Sequence, residues 1–302
     1  MTELKIRGNN LIPSLQPLKE LTKLTTLHLQ LDMEKVEGVE VAEVAIDLSP
    51  LASMKELQSF HLDTGERYAL ASVKVNPGDT LVTLSSLENI KDLHLKNVTI
   101  SDASFLDNMT GLTSLLLSDN DITDLQSLSE LTNMEELRLY DNDIITFQPL
   151  EKLTKITILK VVGVPVTNVD AIGYMSELRI LKLLRTDATD ISALANASKL
   201  QGLSLGRSYI TDLTALTELP LLEAFIYLEL GVTDLNVFNN FQSLKILTLS
   251  EGDDVDYLPL YGWTNLITLN IQLNESFNCS DLISLKVALP GTNIINTLEC
   301  EG

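Results

Sequence analysis

The sequence predicts an α/β repeat fold, a solenoid in which short parallel strands form a β-sheet and 3₁₀ or short helical turns return the chain. Two observations predict this fold. The phrase L-x-x-L-x-L recurs along nearly the whole chain of 302 residues, and from Ile90 to Leu266 its first apolar position returns every 22 residues. Each phrase is followed by apolar residues spaced three apart. A fixed period of this length indicates stacked repeats that share one continuous core.

The segment Leu112 to Asn133, "LTSLLLSDNDITDLQSLSELTN", shows each element of the repeat. When its residues are numbered 1 to 22, positions 4 and 6 (Leu115 and Leu117) follow the alternation of a short strand with one buried face. Positions 11, 14, 17 and 20 recur every three residues, which suits a 3₁₀ turn. Position 13 is often aspartate, and we expect its carboxylate to cap backbone N–H groups of the turn.

The run "LTSLLLSDNDITDLQSLSELTNMEELRLYDNDI", from Leu112 to Ile144, resembles the 22-residue leucine-rich repeats of bacterial internalin-like proteins. The resemblance extends over nearly the whole chain. It implies a right-handed, curved leucine-rich repeat solenoid with a concave parallel β-sheet and 3₁₀ or short helical turns on the convex side. It also implies that other proteins bind on the concave sheet.

We predict a single leucine-rich repeat domain over residues 1–302, with regular 22-residue repeats from residue 90. Earlier in the chain, two intervals between phrases are 33 residues long and so exceed the period by 11 residues each. These long intervals indicate 11-residue insertions within 30–46 and 63–80. The insertions either build a binding face or reflect tolerated loop growth. The second insertion alternates apolar and polar residues, which predicts a small hairpin.

The C-terminal segment departs from the repeat. A β-prone run after Pro290 and Gly291 predicts a strand at about 292–298 that closes the end of the core.

Two cysteines, Cys279 and Cys300, lie 21 residues apart in this segment. A disulfide between them would stabilise the fold by about 3 kcal/mol through loop-closure entropy. The alternative is one core thiol and one tail thiol in a reducing cytosol.

Composition and charge exclude several classes of function. The chain carries 42 acidic and 21 basic residues, a net charge of −21, which repels nucleic acid phosphates and anionic membranes. No segment approaches the roughly 18 apolar residues that cross a bilayer, so we predict neither nucleic acid binding nor membrane insertion. Since the opening lacks a signal-peptide pattern, we expect a cytoplasmic protein; the alternative is a secreted or cell-surface protein if a leader is missing.

Position 5 of the repeats, which faces away from the core, carries a stripe of basic residues. The stripe includes the three histidines of the chain and three further cations: His28, His61, His94, Arg138, Lys160 and Lys182. Since neighbouring strands lie about 4.8 Å apart, the histidines should form a ladder roughly 10 Å long. Three interpretations of the histidines are open. They are polar contacts on a binding surface, or they form a pH-sensitive contact that changes as the imidazoles become charged below about pH 6.5. The third is a zinc site, for which a full set of ligands is not evident. We predict no metal site and no cofactor.

The later repeats carry apolar residues at outward positions that a solvated sheet normally fills with polar ones. The residues of this apolar patch are Ile158, Val162, Ile180, Leu184, Ile226, Leu228 and Ile246, with Tyr140 and Arg185 at its margin. A contiguous apolar patch rimmed by charge indicates an interaction site. The alternatives are self-association and an error in the strand register.

No catalytic motif is evident: the sequence has no G-x-S-x-G, no glycine-rich phosphate loop and no cysteine near a histidine in the repeat register. We predict that the protein is not an enzyme. It is expected to be a protein-binding module that recognises a protein partner on its concave face, where the basic residues bind acidic groups and the apolar patch anchors the partner. The alternative is a self-associating or adhesive surface protein of the internalin-like type.

Overall fold

The computed structural model shows short strands that alternate with 3₁₀ turns. It describes residues 1–8, 14–31, 44–65, 73–75, 79–229, 235–236, 241, 243–250, 258–272 and 277–296. The chain divides into two compact units, Met1–Ile156 and Thr157–Gly302. The single domain expected over residues 1–302 stays a prediction.

The first unit contains a ladder of parallel strands in which equivalent repeat positions lie opposite one another. These strands are β1 (Glu3–Gly8), β2 (Thr26–Leu31), β4 (Ser59–Asp63), β6 (Asp92–Lys96), β7 (Ser114–Ser118) and β8 (Glu136–Tyr140). They pair in that order, so position 5 aligns Lys5, His28, His61, His94, Leu116 and Arg138. The register predicted from the repeat is confirmed.

The second unit repeats the same parallel arrangement. Its strands are β9 (Ile158–Val162), β10 (Ile180–Leu184), β11 (Gly202–Gly206), β12 (Ala224–Leu228), β13 (Ile246–Ser250), β14 (Thr268–Gln272) and β15 (Asn293–Asn296). Each strand pairs with the next. Side chains at positions 4 and 6 are buried, such as Leu181 and Leu183, whereas Ile180 and Lys182 face outward. Register error is therefore the wrong explanation for the apolar patch. The outward positions 3, 5 and 7 form what we call the strand face.

The predicted 3₁₀ turns follow the strands. They span Gln16–Glu20, Ser49–Ser53, Ser104–Leu106, Gln126–Leu128, Gln148–Leu150, Asp170–Tyr174, Ser192–Asn196, Thr214–Glu218 and Leu258–Gly262. Aspartates at position 13 accept a hydrogen bond at 2.7 to 2.8 Å from the N–H two residues later, as at Asp47, Asp102, Asp124, Asp190 and Asp212. The predicted capping role is confirmed at these positions, because these carboxylates satisfy donors that the first turn leaves free.

The two insertions pair with each other. Strand β3 (Val44–Ile46) in the first insertion and β5 (Val73–Val75) in the second form a separate two-stranded parallel sheet. Most of the hairpin predicted within the second insertion lies outside the described residues, and the strand of it that is described, β5, pairs with β3. A hairpin pairs strands that follow each other in antiparallel fashion, whereas here the two partner segments run the same way. The helix α1 (Asp79–Ser85) follows β5 and replaces a 3₁₀ turn.

The C-terminal segment closes the second unit. Helix α2 (Cys279–Ala288) begins with a capping box between Asn278 and Asp281, and it buries Leu282 and Leu285. Strand β15 then pairs in parallel with β14, which confirms the predicted closing strand within 293–296, while residues 297–298 lie outside the described residues. Cys279 is disulfide-bonded, and Cys300, the other cysteine of the predicted pair, lies outside the described residues.

Candidate functional site

The three histidines form a continuous stack on the strand face of the first unit. His28, His61 and His94 occupy the centres of β2, β4 and β6 and lie opposite one another in the register. The ring centroids are 3.8 Å apart between His28 and His61 and 3.7 Å apart between His61 and His94, with interplanar angles of 5° and 14°. The predicted ladder is confirmed, and we call it the histidine stack.

Asp92 joins two members of the histidine stack. Its Oδ2 atom lies 2.6 Å from His61 Nε2, and its Oδ1 atom lies 3.0 Å from His94 Nε2. The hydroxyl of Ser59 donates a hydrogen bond to Asp92 Oδ2 at 2.9 Å. One carboxylate therefore orients two imidazoles from neighbouring strands.

The repeat pattern did not point to Asp92 or Ser59, although both occupy position 3 of their repeats. Residues two apart on a strand project to the same face, so Asp92 and His94 must share the strand face of β6. Parallel pairing of β4 with β6 then sets Ser59 opposite Asp92 and His61 opposite His94. A comparison of positions 3 and 5 across adjacent repeats would have found the cluster, whereas position 5 alone did not show it.

The electrostatics of the cluster favour an ionised Asp92 and a neutral His28. Burial acts to raise the pKa of the Asp92 carboxyl, but hydrogen bonds from His61, His94 and Ser59, together with the charge of His94, hold that pKa well below its usual value. Burial, reinforced by the charges of His61 and Lys5, lowers the pKa of His28. The Nε2 atom of His28 lies 3.4 Å from Ser59 Oγ, at the edge of hydrogen-bonding distance.

A groove with a volume of about 290 Å³ lies along the histidine stack. Besides the three imidazoles, its cationic lining residues are Lys5, Arg7 and Lys96. Lys96 Nζ lies 3.5 Å from Asp63 Oδ1, whereas Arg7 is exposed and has no carboxylate partner among the described residues. The groove is large enough for a side chain or a small polar group.

Carboxylates at position 3 compensate part of the basic stripe at position 5. Lys5 Nζ lies 2.7 Å from Glu3 Oε1, and the Arg138 guanidinium lies 2.5 Å from Glu136 Oε1. Asp92 has the same relationship to His94. Although no acid occurs at position 5 itself, the strand face of the first unit carries acid–base pairs rather than a row of free cations.

The strand face of the second unit holds a pair of uncompensated lysines. Lys160 and Lys182 lie opposite each other on β9 and β10. Neither forms an ion pair with any carboxylate in the part of the chain that the structure describes. Like charges on directly opposed positions repel each other, so an acidic group placed between them would stabilise the pair.

Aliphatic side chains of the apolar patch flank this lysine pair on both sides. At position 3, Ile158 lies opposite Ile180, and at position 7, Val162 lies opposite Leu184. Farther along the same ladder, Ile226 and Leu228 project from β12 and Ile246 projects from β13, all of them exposed or half-buried. The predicted apolar residues of the second unit therefore share its strand face.

Gly206 allows one part of the apolar patch to pack closely. A Cβ atom at Gly206 would lie 2.4 Å from the carbonyl oxygen of Leu228 and 2.5 Å from its Cβ atom. The neighbouring strand approaches too closely for any side chain at this position. At Gly202, on the same strand, a Cβ atom would meet Ile180 only at an ordinary contact distance of 3.9 Å.

The two residues predicted at the margin of the patch differ in exposure. Tyr140 is half-buried at the end of β8, and burial raises the pKa of its phenol. Arg185 is exposed, with a left-handed backbone (φ 52°), and its N–H donates to the Gly206 carbonyl oxygen at 3.0 Å. This left-handed turn recurs at position 8 of other repeats, where Gly163 is the residue best suited to it (φ 66°).

Solved structures with the same fold include an internalin (inlF) from Listeria monocytogenes. It is 25% identical to this chain with a TM-score of 0.77, and the match covers 100% of this chain and 88% of the internalin. The chain is a leucine-rich repeat protein with internalin-like repeats. An internalin C2 from the same species is 27% identical to this leucine-rich repeat protein, with a TM-score of 0.55, over 64% of this chain and 84% of the internalin.

More distant structures share the fold of the leucine-rich repeat protein. The ectodomain of the Arabidopsis thaliana receptor kinase GASSHO1/SCHENGEN3, in complex with CASPARIAN STRIP INTEGRITY FACTOR 2, is 16% identical with a TM-score of 0.61, over 98% of this chain and 39% of the ectodomain. No protein-family model and no curated protein sequence matches the chain. Among the described residues, no helix combines the length and the hydropathy needed to cross a membrane.

Proposed function

We propose that the leucine-rich repeat protein is a non-catalytic protein-binding module that recognises a protein partner on its strand face, which the resemblance implies to be concave. The apolar patch of the second unit carries this proposal. Ile180, Ile226 and Ile246 are 41%, 36% and 44% exposed at positions where a solvated sheet normally carries polar side chains. Covering such side chains contributes about 25 cal/mol per Å² of apolar surface removed from water.

The chemistry of the second unit supports a partner segment that combines apolar and acidic groups. Lys160 and Lys182 lie between two aliphatic rows and face no carboxylate of the described chain. An acidic side chain of the partner would gain two charge-assisted contacts there, while its apolar neighbours would pack against Ile180 and Leu184. In the first unit, Arg7 in the groove offers a further cation that has no carboxylate partner among the described residues.

The structural neighbours support binding as the use of such an array. The receptor ectodomain with the same fold was solved in complex with CASPARIAN STRIP INTEGRITY FACTOR 2. This likeness concerns the fold, and it supports a binding role without identifying a partner for the present chain.

Affinity capture from a lysate tests the proposal with a matched pair of variants. Ile180→Asp combined with Leu228→Asp removes two apolar side chains from the patch and places a carboxylate at position 3 beside Lys182, where it competes with the acidic group of the partner. We therefore expect the double variant to abolish partner capture. Ile283→Asp is the control, since Ile283 is 59% exposed on α2, a helix that contacts the 3₁₀ turn Leu258–Gly262 and is not part of the strand face. Circular dichroism first checks that both variants are folded. Equal capture by the double variant and the control would then contradict the proposal.

Self-association is the second candidate, and the same exposed isoleucines favour it. If a second copy of the chain covers the patch, light scattering across a dilution series should show a mass that rises with concentration. The Ile180→Asp and Leu228→Asp double variant should then remain at the monomer mass at every concentration. A wild-type mass that does not change with concentration would leave partner binding as the use of the patch.

A further inference from the structure

We propose that His61, Asp92 and His94 form a binding site for a divalent transition-metal ion of the zinc class. One ligand atom from each residue lies within 4.8 Å of the other two. Two imidazole nitrogens and one carboxylate oxygen are a donor set that zinc accepts, with the fourth position left open. The inference does not rest on the proposed function, because it involves neither the apolar patch nor the lysine pair.

The backbone holds the three donors in place. Asp92 and His94 lie two residues apart on β6, and the register sets His61 of β4 directly opposite His94. All three therefore project from two paired strands rather than from a loop. Donors on a rigid element keep their positions without a large entropic cost when an ion binds.

Hydrogen bonds hold the three donor groups close together in the structure. The Nε2 atoms of His61 and His94 lie 2.6 Å and 3.0 Å from the Asp92 oxygens, which are hydrogen-bonding distances. A tetrahedral zinc ion with bonds of about 2.0 to 2.1 Å needs donors roughly 3.4 Å apart. The carboxylate must therefore withdraw by less than about 1 Å, and the ion takes the place of the hydrogen atoms between these donors.

The imidazoles must also rotate when the ion binds. In the stack, the ring centroids of His61 and His94 lie 3.7 Å apart and the ring planes differ by only 14°, so a single ion cannot lie in the planes of both rings. Their side chains are 25% and 22% exposed, and the groove beside them gives room for the rotation. Neutral imidazole binds metal through an unprotonated nitrogen, so the proton now directed at Asp92 moves to Nδ1 or to solvent.

Ser59 and His28 support the donors without belonging to them. The Ser59 hydroxyl donates to Asp92 Oδ2 at 2.9 Å and so orients the carboxylate, as outer groups do at metal sites. His28 stacks on His61 at 3.8 Å, but its Nε2 atom faces Ser59. His28 is therefore a matched control: it is an imidazole of the same stack that lies outside the donor set.

Calorimetric titration of zinc chloride into the full chain tests the inference. The chain is treated with EDTA and carries no polyhistidine tag; Cys279, the cysteine that the structure describes, is in a disulfide and offers no competing thiol. We expect saturable binding of one zinc ion per chain and a rise in melting temperature that EDTA reverses. His61→Gln and Asp92→Asn should each weaken binding by at least about tenfold, whereas His28→Gln should change it by less than about threefold.

Two outcomes would overturn the site. One is the absence of binding heat and of a melting-temperature shift at millimolar zinc in the wild-type chain. The other is wild-type affinity in both His61→Gln and Asp92→Asn, which would place the zinc elsewhere. Each variant is checked by circular dichroism first, and His94→Gln replaces any variant that does not fold, because it removes a different donor of the same set.

Discussion

Asp92 Oδ2 accepts a hydrogen bond from His61 Nε2 at 2.6 Å, although the two residues are 31 positions apart in the chain. Asp92 is half-buried, and its carboxylate also contacts His94 and Ser59. A hydrogen-bonded charge in such a position stabilises the fold more than an exposed ion pair does. The contact thus couples β4 to β6 through side chains as well as through the backbone.

Replacing Asp92 by alanine should destabilise the first unit. The substitution leaves two imidazoles and one hydroxyl without their acceptor, and we expect the free energy of unfolding to fall by about 1 to 2 kcal/mol. Urea denaturation followed by circular dichroism measures the change. Glu3→Gln is the control, since the pair of Glu3 with Lys5 is exposed and should contribute almost nothing. Equal stability of Asp92→Ala and the wild type would show that the cluster has no stabilising role.

The two glycines of β11 should respond in opposite ways to alanine. At Gly206 the new Cβ atom meets backbone and side-chain atoms of Leu228, so Gly206→Ala should cost about 1 to 3 kcal/mol of stability. At Gly202 the nearest atom to the new Cβ lies 3.9 Å away, so Gly202→Ala should be neutral, or stabilising by up to about 1 kcal/mol through the unfolded state. Thermal melts of the two single variants measure the contrast. Equal melting temperatures would contradict the close approach of β12 to Gly206.

Capping aspartates should make stability depend on acidic pH. Hydrogen bonds from the backbone and the hydroxyl of Ser192 lower the pKa of Asp190 from its ordinary value of 3.8. The folded-state pKa is thus below the unfolded one, so the stabilisation is fully present above pH 3.8 and is lost as the pH falls through the folded-state value. Asp190→Asn keeps an oxygen acceptor but does not titrate. In urea titrations between about pH 6 and pH 3, the variant should lose less stability than the wild type.

The opposite result would assign the acid sensitivity to other groups. If the wild type and Asp190→Asn lose the same stability on acidification, the carboxylate of Asp190 does not contribute to it. Asp212→Asn provides a second test, because a hydrogen bond from the Thr214 hydroxyl, with one from the Thr214 N–H, lowers the pKa of Asp212.

The repeat period predicted the architecture and the register because each strand occupies the same place in its repeat. It therefore identified the histidine stack and the outward direction of Ile180 and Ile226 from residue positions alone. The role of Asp92 was not predicted, because its contacts depend on two different positions in two adjacent repeats. The pairing of β3 with β5 was also missed, because insertions lie outside the period and their partners depend on tertiary structure.

Site-specific photo-crosslinking tests the central claim of a binding strand face most directly. A benzophenone-bearing residue is placed at Ile226, which is 36% exposed on the strand face, and in a second protein at Ile283 on α2. After partner capture and irradiation, mass spectrometry measures the crosslinked product at each position. A product at position 226 and none at position 283 is the predicted result. A product at position 283 alone would contradict binding on the strand face.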